Sequence, residues 1–195
     1  SLKIYIKVRF KFWSCQPIFH LYNIRYWLFP PGIINSNFYN QKYMNYLNIK
    51  TNKFDNYSDS DFKQFSEFIK LNYLNRKNIH YNPEPTNILP YFNSNTYIST
   101  YHKDNMLVGL ITGTPLYVCL NNNEMHTYYI DYLCVHNNFR NKGIAPELIQ
   151  THEFFQRKNE KNIKTCLFKK ETNQHYIVPL TIYNTYCFNT NYWTI

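Results

Sequence analysis

The segment that most limits what this chain can fold into is Met125 to Val135, a long strand candidate that stops at His136-Asn137-Asn138 and gives way to a helical pattern from Ile144 to Lys158. In that pattern Ala145, Leu148, Ile149, His152 and Phe155 recur at three- and four-residue steps and share one face. Two apolar runs, Met106 to Gly113 and Leu116 to Leu120, read as strands ahead of it, and the polar tract Asn121 to Glu124 turns the chain between. Ile163 to Phe168 and Tyr176 to Ile182 read as strands after the helix. This order predicts an α/β or α+β domain whose mixed, largely antiparallel sheet enters a β-α-β unit and is flanked by helices.

Further upstream, Ser58 and Asp61 resemble a capping box, and Phe62, Phe65, Phe68, Ile69 and Tyr73 lay an apolar stripe along one helix, which reads as core. In Leu2 to Phe12, Ile4, Ile6, Val8 and Phe10 alternate with Lys3, Lys7, Arg9 and Lys11, a pattern that predicts a half-buried strand with a basic face. Gln16 to Lys53, broken by Pro17, Pro30, Pro31 and Gly32, reads as a long loop wrapping the domain, and Pro83, Pro85 and Pro90 punctuate another before Met106. With 195 residues, 44 % of them hydrophobic, the chain is large enough for one packed domain over 1–195, which argues against disorder.

A net charge of +9 calls for an anionic partner: nucleic acid, a membrane surface or a phosphorylated cofactor. Charge alone does not choose among them. The most basic stretches, Lys3 to Lys11 and Arg157 to Lys170, do not interleave cations with glycine as RNA-binding segments do, so a nucleic-acid partner is not expected. The cysteines Cys15, Cys119, Cys134, Cys166 and Cys187 are odd in number and lack CxxC spacing, which argues for packed thiols over disulfides or zinc. No run approaches the ~18 apolar residues of a membrane span and no leader pattern opens the chain, so a cytoplasmic location is expected.

The chemically informative part is the turn Arg140-Asn141-Lys142-Gly143-Ile144-Ala145 between the long strand and its helix. A helix start offers free N–H groups to a phosphate, Gly143 lets the backbone approach, and Arg140 and Lys142 add cations. The turn resembles the Arg-x-x-Gly-x-Ala loop by which GNAT acyltransferases hold the coenzyme A pyrophosphate. Lys11-Phe12-Trp13-Ser14-Cys15-Gln16-Pro17 resembles the Phe-Trp-x-x-Gln-Pro signature of N-myristoyltransferases, and Asp131-Tyr132-Leu133-Cys134-Val135-His136 resembles their Asn-Phe-Leu-Cys-Val-His strand. Arg140 to Pro146, Leu148-Ile149, Asn72-Tyr73, Leu107 to Ile111 and Ile177-Val178-Pro179 follow in the family's order.

The resemblance implies a GNAT-like acyl-CoA N-acyltransferase fold corresponding to the N-terminal half of an N-myristoyltransferase. It implies transfer of myristate from myristoyl-CoA to the N-terminal glycine amine of a peptide or protein, with no metal. Backbone N–H groups of Tyr132 and Leu133 would face the thioester oxygen, an oxyanion contribution worth about 3 kcal/mol per donor. Lys11, Phe12 and Trp13 would contact the acyl-CoA, Leu133, Cys134 and Val135 would run along the pantetheine, and Arg140, Asn141, Lys142, Gly143, Ile144 and Ala145 would cradle the pyrophosphate. The family's base, a C-terminal carboxylate, belongs to a second half that this chain would need from a further domain or another copy. Where the family has an acidic pair after Asn-Tyr, this chain has Leu74-Asn75-Arg76-Lys77, which reverses the local charge. A short-chain N-acetyltransferase and a catalytically impaired acyl-CoA-binding protein are the alternative readings.

Overall fold

Five strands form one sheet whose neighbours follow chain order: β1 (Ile49–Lys53), β2 (Tyr97–Lys103), β3 (Met106–Leu120), which joins two of the expected strands, β4 (Asn123–Val135) and β5 (Cys166–Phe168). The first four are antiparallel neighbours. β5 joins parallel to β4 through Tyr128↔Cys166, Tyr129↔Leu167 and Ile130↔Phe168. Asp104-Asn105 and Asn121-Asn122 make the two tight turns, all four residues at positive φ, where short polar side chains are tolerated. In this computed structural model the described residues are 1–29, 41–74, 81–170, 177–184, 186, 188 and 189. They divide into two compact units, Phe38–Glu171, which holds the sheet, and Ser1–Asn37 with Thr172–Ile195.

A helix covers each face of the sheet. α3 (Asp59–Asn72) packs Phe62, Phe65, Phe68 and Ile69 against Ile98, Leu107, Leu110, Tyr132 and Cys134. Its start is fixed by the capping box legible in the sequence: Ser58 Oγ accepts from the Asp61 N–H at 3.3 Å, and Asp61 Oδ2 accepts from the Ser58 N–H at 2.8 Å. Such a cap is worth about 1 kcal/mol. The short α4 (Pro85–Ile88) adds Ile88 to the same core. On the other face α5 (Ile144–Asn159) packs Ile144 and Leu148 against Ile49, Tyr101, Val108, Ile111 and Val135. The two cores take alternate residues of β4, Tyr132 and Cys134 to one and Val135 to the other, as a pleated strand requires.

Several expectations change. Leu2 to Phe12 is not a strand: α1 spans Leu2–Arg9, with Phe10 N–H bonded to the Ile6 carbonyl at 2.8 Å. Only Ile6 of that helix is buried, while Ile4 and Val8 stay 63 % and 68 % exposed, so no half-buried strand face forms. A lone strand leaves its N–H groups unpaired, whereas a helix bonds them internally. The loop assigned to Gln16 to Lys53 contains α2 (Ile24–Leu28) and ends in β1, and the loop before Met106 contains β2. Residues 177–182 join no ladder, Pro179 having no N–H to give, and Tyr176 lies outside the described residues.

Candidate functional site

β4 breaks register in its last third. Leu110 pairs with Cys134 and Thr112 with Asp131, so Ile111 alone stands opposite both Tyr132 and Leu133. This is a bulge, with the extra residue on β4. Tyr132 takes up the difference at φ 51, a left-handed conformation that costs a bulky side chain about 1–3 kcal/mol. Packing holds it there: its ring, 7 % exposed, lies 5.3 Å from Tyr73, 6.5 Å from Tyr81 and 6.2 Å from Phe92. Burial raises the Tyr132 phenol well above its ordinary pKa, so it stays neutral. Its N–H donates to Asp131 Oδ1 at 2.8 Å, and the same oxygen accepts the Tyr73 hydroxyl at 2.7 Å.

The ladder to β5 ends at Ile130, so among the described residues no strand continues alongside Asp131 to Val135 on that side. Next to this open stretch lies a cleft of about 600 Å³, lined by Asn72, Leu74, Leu133, Cys134, Val135, Phe139, Arg140, Asn141, Gly143, Ile144, Ala145 and Pro146. Gly143 is the N-cap of α5 at φ 84, with no side chain capping the helix start, and a Cβ built there would meet nothing within 4 Å. The first turn of α5 therefore begins at the cleft wall with N–H groups suited to an anion. The Lys142 and Lys103 ammonium groups lie over the Phe139 ring, 5.0 Å and 5.5 Å from its centre.

Arg140 braces the cleft. Its Nε donates to the Val135 carbonyl at 3.2 Å and its Nη2 to the Asn72 carbonyl at 2.9 Å, tying the end of β4 to the last turn of α3. The guanidinium thus brings a fixed charge to the cleft with two donors already engaged. Cys134 is 5 % exposed and burial, opposed by Arg140, raises its thiol far above the usual range, which removes it as a nucleophile. His136 closes the turn, its Nδ1 accepting from the Asn138 N–H at 3.3 Å and its ring set edge-on to Phe139.

Of the residues singled out in the sequence, Leu133, Cys134, Val135, Arg140, Asn141, Gly143, Ile144 and Ala145 meet at this one cleft. Tyr132 sits behind it, and its N–H is engaged by Asp131. Lys11, Phe12 and Trp13 belong to the other unit, where Lys11 is exposed, Phe12 is buried and its ring packs edge-on to Trp13 at 5.1 Å. Asn75, Arg76 and Lys77 lie outside the described residues. The sequence pattern alone does not assign Asn72, Leu74, Phe139 or Pro146 to the cleft. Phe139 and Pro146 flank the Gly143 turn and are within reach of such a reading, whereas Asn72 and Leu74 arrive from the distant end of α3, and Lys103, which lies over Phe139, comes from β2, a strand the sequence pattern does not mark.

The sequence model for the "Myristoyl-CoA:protein N-myristoyltransferase, N-terminal domain" matches residues 37–178, a span that contains the cleft and excludes Lys11 to Trp13. A curated relative, the glycylpeptide N-tetradecanoyltransferase of Plasmodium falciparum (isolate 3D7), is 35% identical over 68 residues, which cover 35% of this chain and 16% of that protein. Among solved structures, Saccharomyces cerevisiae N-myristoyltransferase with bound myristoyl-CoA superposes with a TM-score of 0.61 at 18% identity, covering 82% of this chain and 38% of that one. A GNAT family acetyltransferase of Staphylococcus aureus superposes with a TM-score of 0.50 at 16% identity, covering 72% of this chain and all of that one. The fold is thus that of the GNAT acyltransferases, and the chain spans much less than the full length of the curated relative.

Proposed function

The chain belongs to the N-myristoyltransferase family, and from that premise we propose that it binds a long-chain acyl-CoA, myristoyl-CoA foremost, and transfers the acyl group to an N-terminal glycine amine. The observation that carries this reading is the coincidence of two features at one cleft: the open edge of β4 beyond Ile130, and the uncapped start of α5 at Gly143. An acyl-CoA needs both. Its pantetheine amides would bond along the β4 edge by Leu133 and Val135. Its pyrophosphate would sit at Gly143 to Ala145, with Lys142 as a fixed cation and Arg140 holding the turn in place.

In the proposed reaction the neutral amine nitrogen attacks the thioester carbonyl, a C–N bond forms and the C–S bond breaks; the nitrogen gives up one proton and the departing sulfur takes up one, so that an amide and the free thiol of coenzyme A result. Negative charge develops on the carbonyl oxygen, where the Leu133 N–H would act as a donor. Tyr132 would contribute the turn more than its own N–H, since Asp131 already holds that donor. Among the described residues lining the cleft there is no His, Asp or Glu, and on this reading the amine would arrive neutral. A support for an amide-forming enzyme of this family, rather than a thiol-based one, is the buried, protonated Cys134.

The test is single-turnover transfer from myristoyl-CoA to a glycine-terminated peptide. The rate should rise from about pH 6 to pH 9, following the neutral fraction of an α-amino group with pKa of roughly 7.7–8.0. A fast, pH-independent rate at neutral pH would contradict the proposal that the amine arrives neutral. Transfer from acetyl-CoA but not from myristoyl-CoA would replace this reading with that of a short-chain N-acetyltransferase.

A further inference from the structure

The end of α3 meets the proposed site twice. The Asn72 carbonyl accepts from Arg140 Nη2 at 2.9 Å, which ties α3 to the turn before Gly143. One residue later the Tyr73 hydroxyl donates to Asp131 Oδ1 at 2.7 Å, and that oxygen accepts the Tyr132 N–H at 2.8 Å. Asn72 is itself buried and locked, its Nδ2 donating to the Phe68 carbonyl at 2.9 Å. The Tyr73 ring also packs against the Tyr132 ring at 5.3 Å. Hydroxyl and ring therefore act on the same residue, the one held at φ 51 against its own preference.

A left-handed aromatic residue persists only where its surroundings over-determine it. Tyr73, Tyr81 and Phe92 supply the packing, but packing on a ring does not fix the peptide plane before it. The bond from the Tyr132 N–H to Asp131 does, and Tyr73 is what holds that carboxylate in place. We infer that Tyr73 is a positioning residue of the acyl-transfer site, holding through Asp131 the turn of β4 from which Leu133 meets the thioester; this rests on the function proposed above. Asp131 is an acceptor of two hydrogen bonds in this arrangement, and its charge is not needed for the task.

Two variants separate positioning from acid–base chemistry. Tyr73→Phe keeps the ring packing and removes the hydroxyl. Asp131→Asn keeps an oxygen able to accept both bonds and removes the charge, while Asp131→Ala removes both. Tyr73→Phe is expected to lower single-turnover transfer about tenfold or more with acyl-CoA affinity retained, because the loss falls on geometry at the carbonyl. Asp131→Asn should stay close to wild type and Asp131→Ala should match Tyr73→Phe. The Tyr73→Phe/Asp131→Ala pair should be no worse than either single change, as members of one chain of contacts are not additive. Amide hydrogen exchange at Tyr132 should quicken in Tyr73→Phe and Asp131→Ala alone. Loss of transfer in Asp131→Asn equal to that in Asp131→Ala would overturn the inference in favour of a charge or base role. Unchanged transfer and unchanged exchange in Tyr73→Phe would overturn it outright. Wild-type chain that binds acyl-CoA but transfers nothing would overturn the acyl-transfer function and the catalytic half of this inference, and the exchange measurement, which needs no turnover, would still decide whether Tyr73 holds the turn.

Discussion

His152 lies wholly inside the packing of α5 on the sheet, its Nδ1 2.7 Å from the Ser99 hydroxyl and its Nε2 without a hydrogen-bond partner among the described residues. Burial pushes its pKa down to about 3, against about 6.5 in an unfolded chain. The folded pKa is the lower one, so the unfolded state binds the proton first. Stability should be full above about pH 6.5 and decline as pH falls, at about 1.4 kcal/mol per pH unit. His102, whose pKa is lowered by burial and then by Lys50, pushes the same way. Denaturant titrations at pH 7 and pH 5 should differ by about 2 kcal/mol; equal midpoints would mean that His152 carries its proton in the folded chain. At this scale the sequence was legible where chemistry and conformation agree, as at Gly143, whose lack of a side chain suits φ 84 beside flanking cations. It was not legible at Tyr132, because nothing local marks a bulky aromatic residue for a left-handed turn. That conformation comes from Tyr73, Tyr81 and Phe92, all distant in sequence.

At the scale of elements, α5 and β3 approach so closely that a Cβ added to Gly113 would lie 2.6 Å from both His152 Nε2 and Gln156 Nε2. Both side chains are buried and cannot swing into solvent. Gly113→Ala should therefore force α5 off the sheet and destabilise the chain by about 1–3 kcal/mol. A thermal midpoint within a degree or so of wild type would show that the two side chains give way. The same interface explains why β2 was missed. Its buried residues include Ser99 and Thr100, and Ser99 serves a hydrogen-bonded line from Thr51 to His152, so the strand lacks the apolar runs that mark β4. α3 was read correctly because its cap and its stripe are both local signals. α1 was misread because alternation of β-branched and basic residues describes a strand only if a neighbouring edge exists.

For the whole molecule, the family and the fold were legible because short strings recur in order along the chain, and order is carried by topology more than by any single residue. What acts on the acceptor was less legible. Arg76 and Lys77 follow Tyr73 where the resemblance implies acidic residues, so a library of glycine-terminated peptides should show no preference for lysine near the start; a strong preference for basic peptides would contradict that. The central claim, that the cleft between the end of β4 and the start of α5 holds the coenzyme of an acyl-CoA, is tested most directly by calorimetric titration of myristoyl-CoA into the wild-type chain and into Gly143→Glu. The variant places bulk and negative charge where the pyrophosphate would lie; no neighbour lies within 4 Å of the new Cβ, while the backbone at φ 84 costs the added side chain about 1–3 kcal/mol, which leaves the comparison to be made on folded protein. Binding by the wild type and an affinity lower by about tenfold or more in a folded Gly143→Glu, the equivalent of one lost charge-assisted contact, is the expected result. Equal affinity in the two folded proteins would contradict the assignment of the cleft.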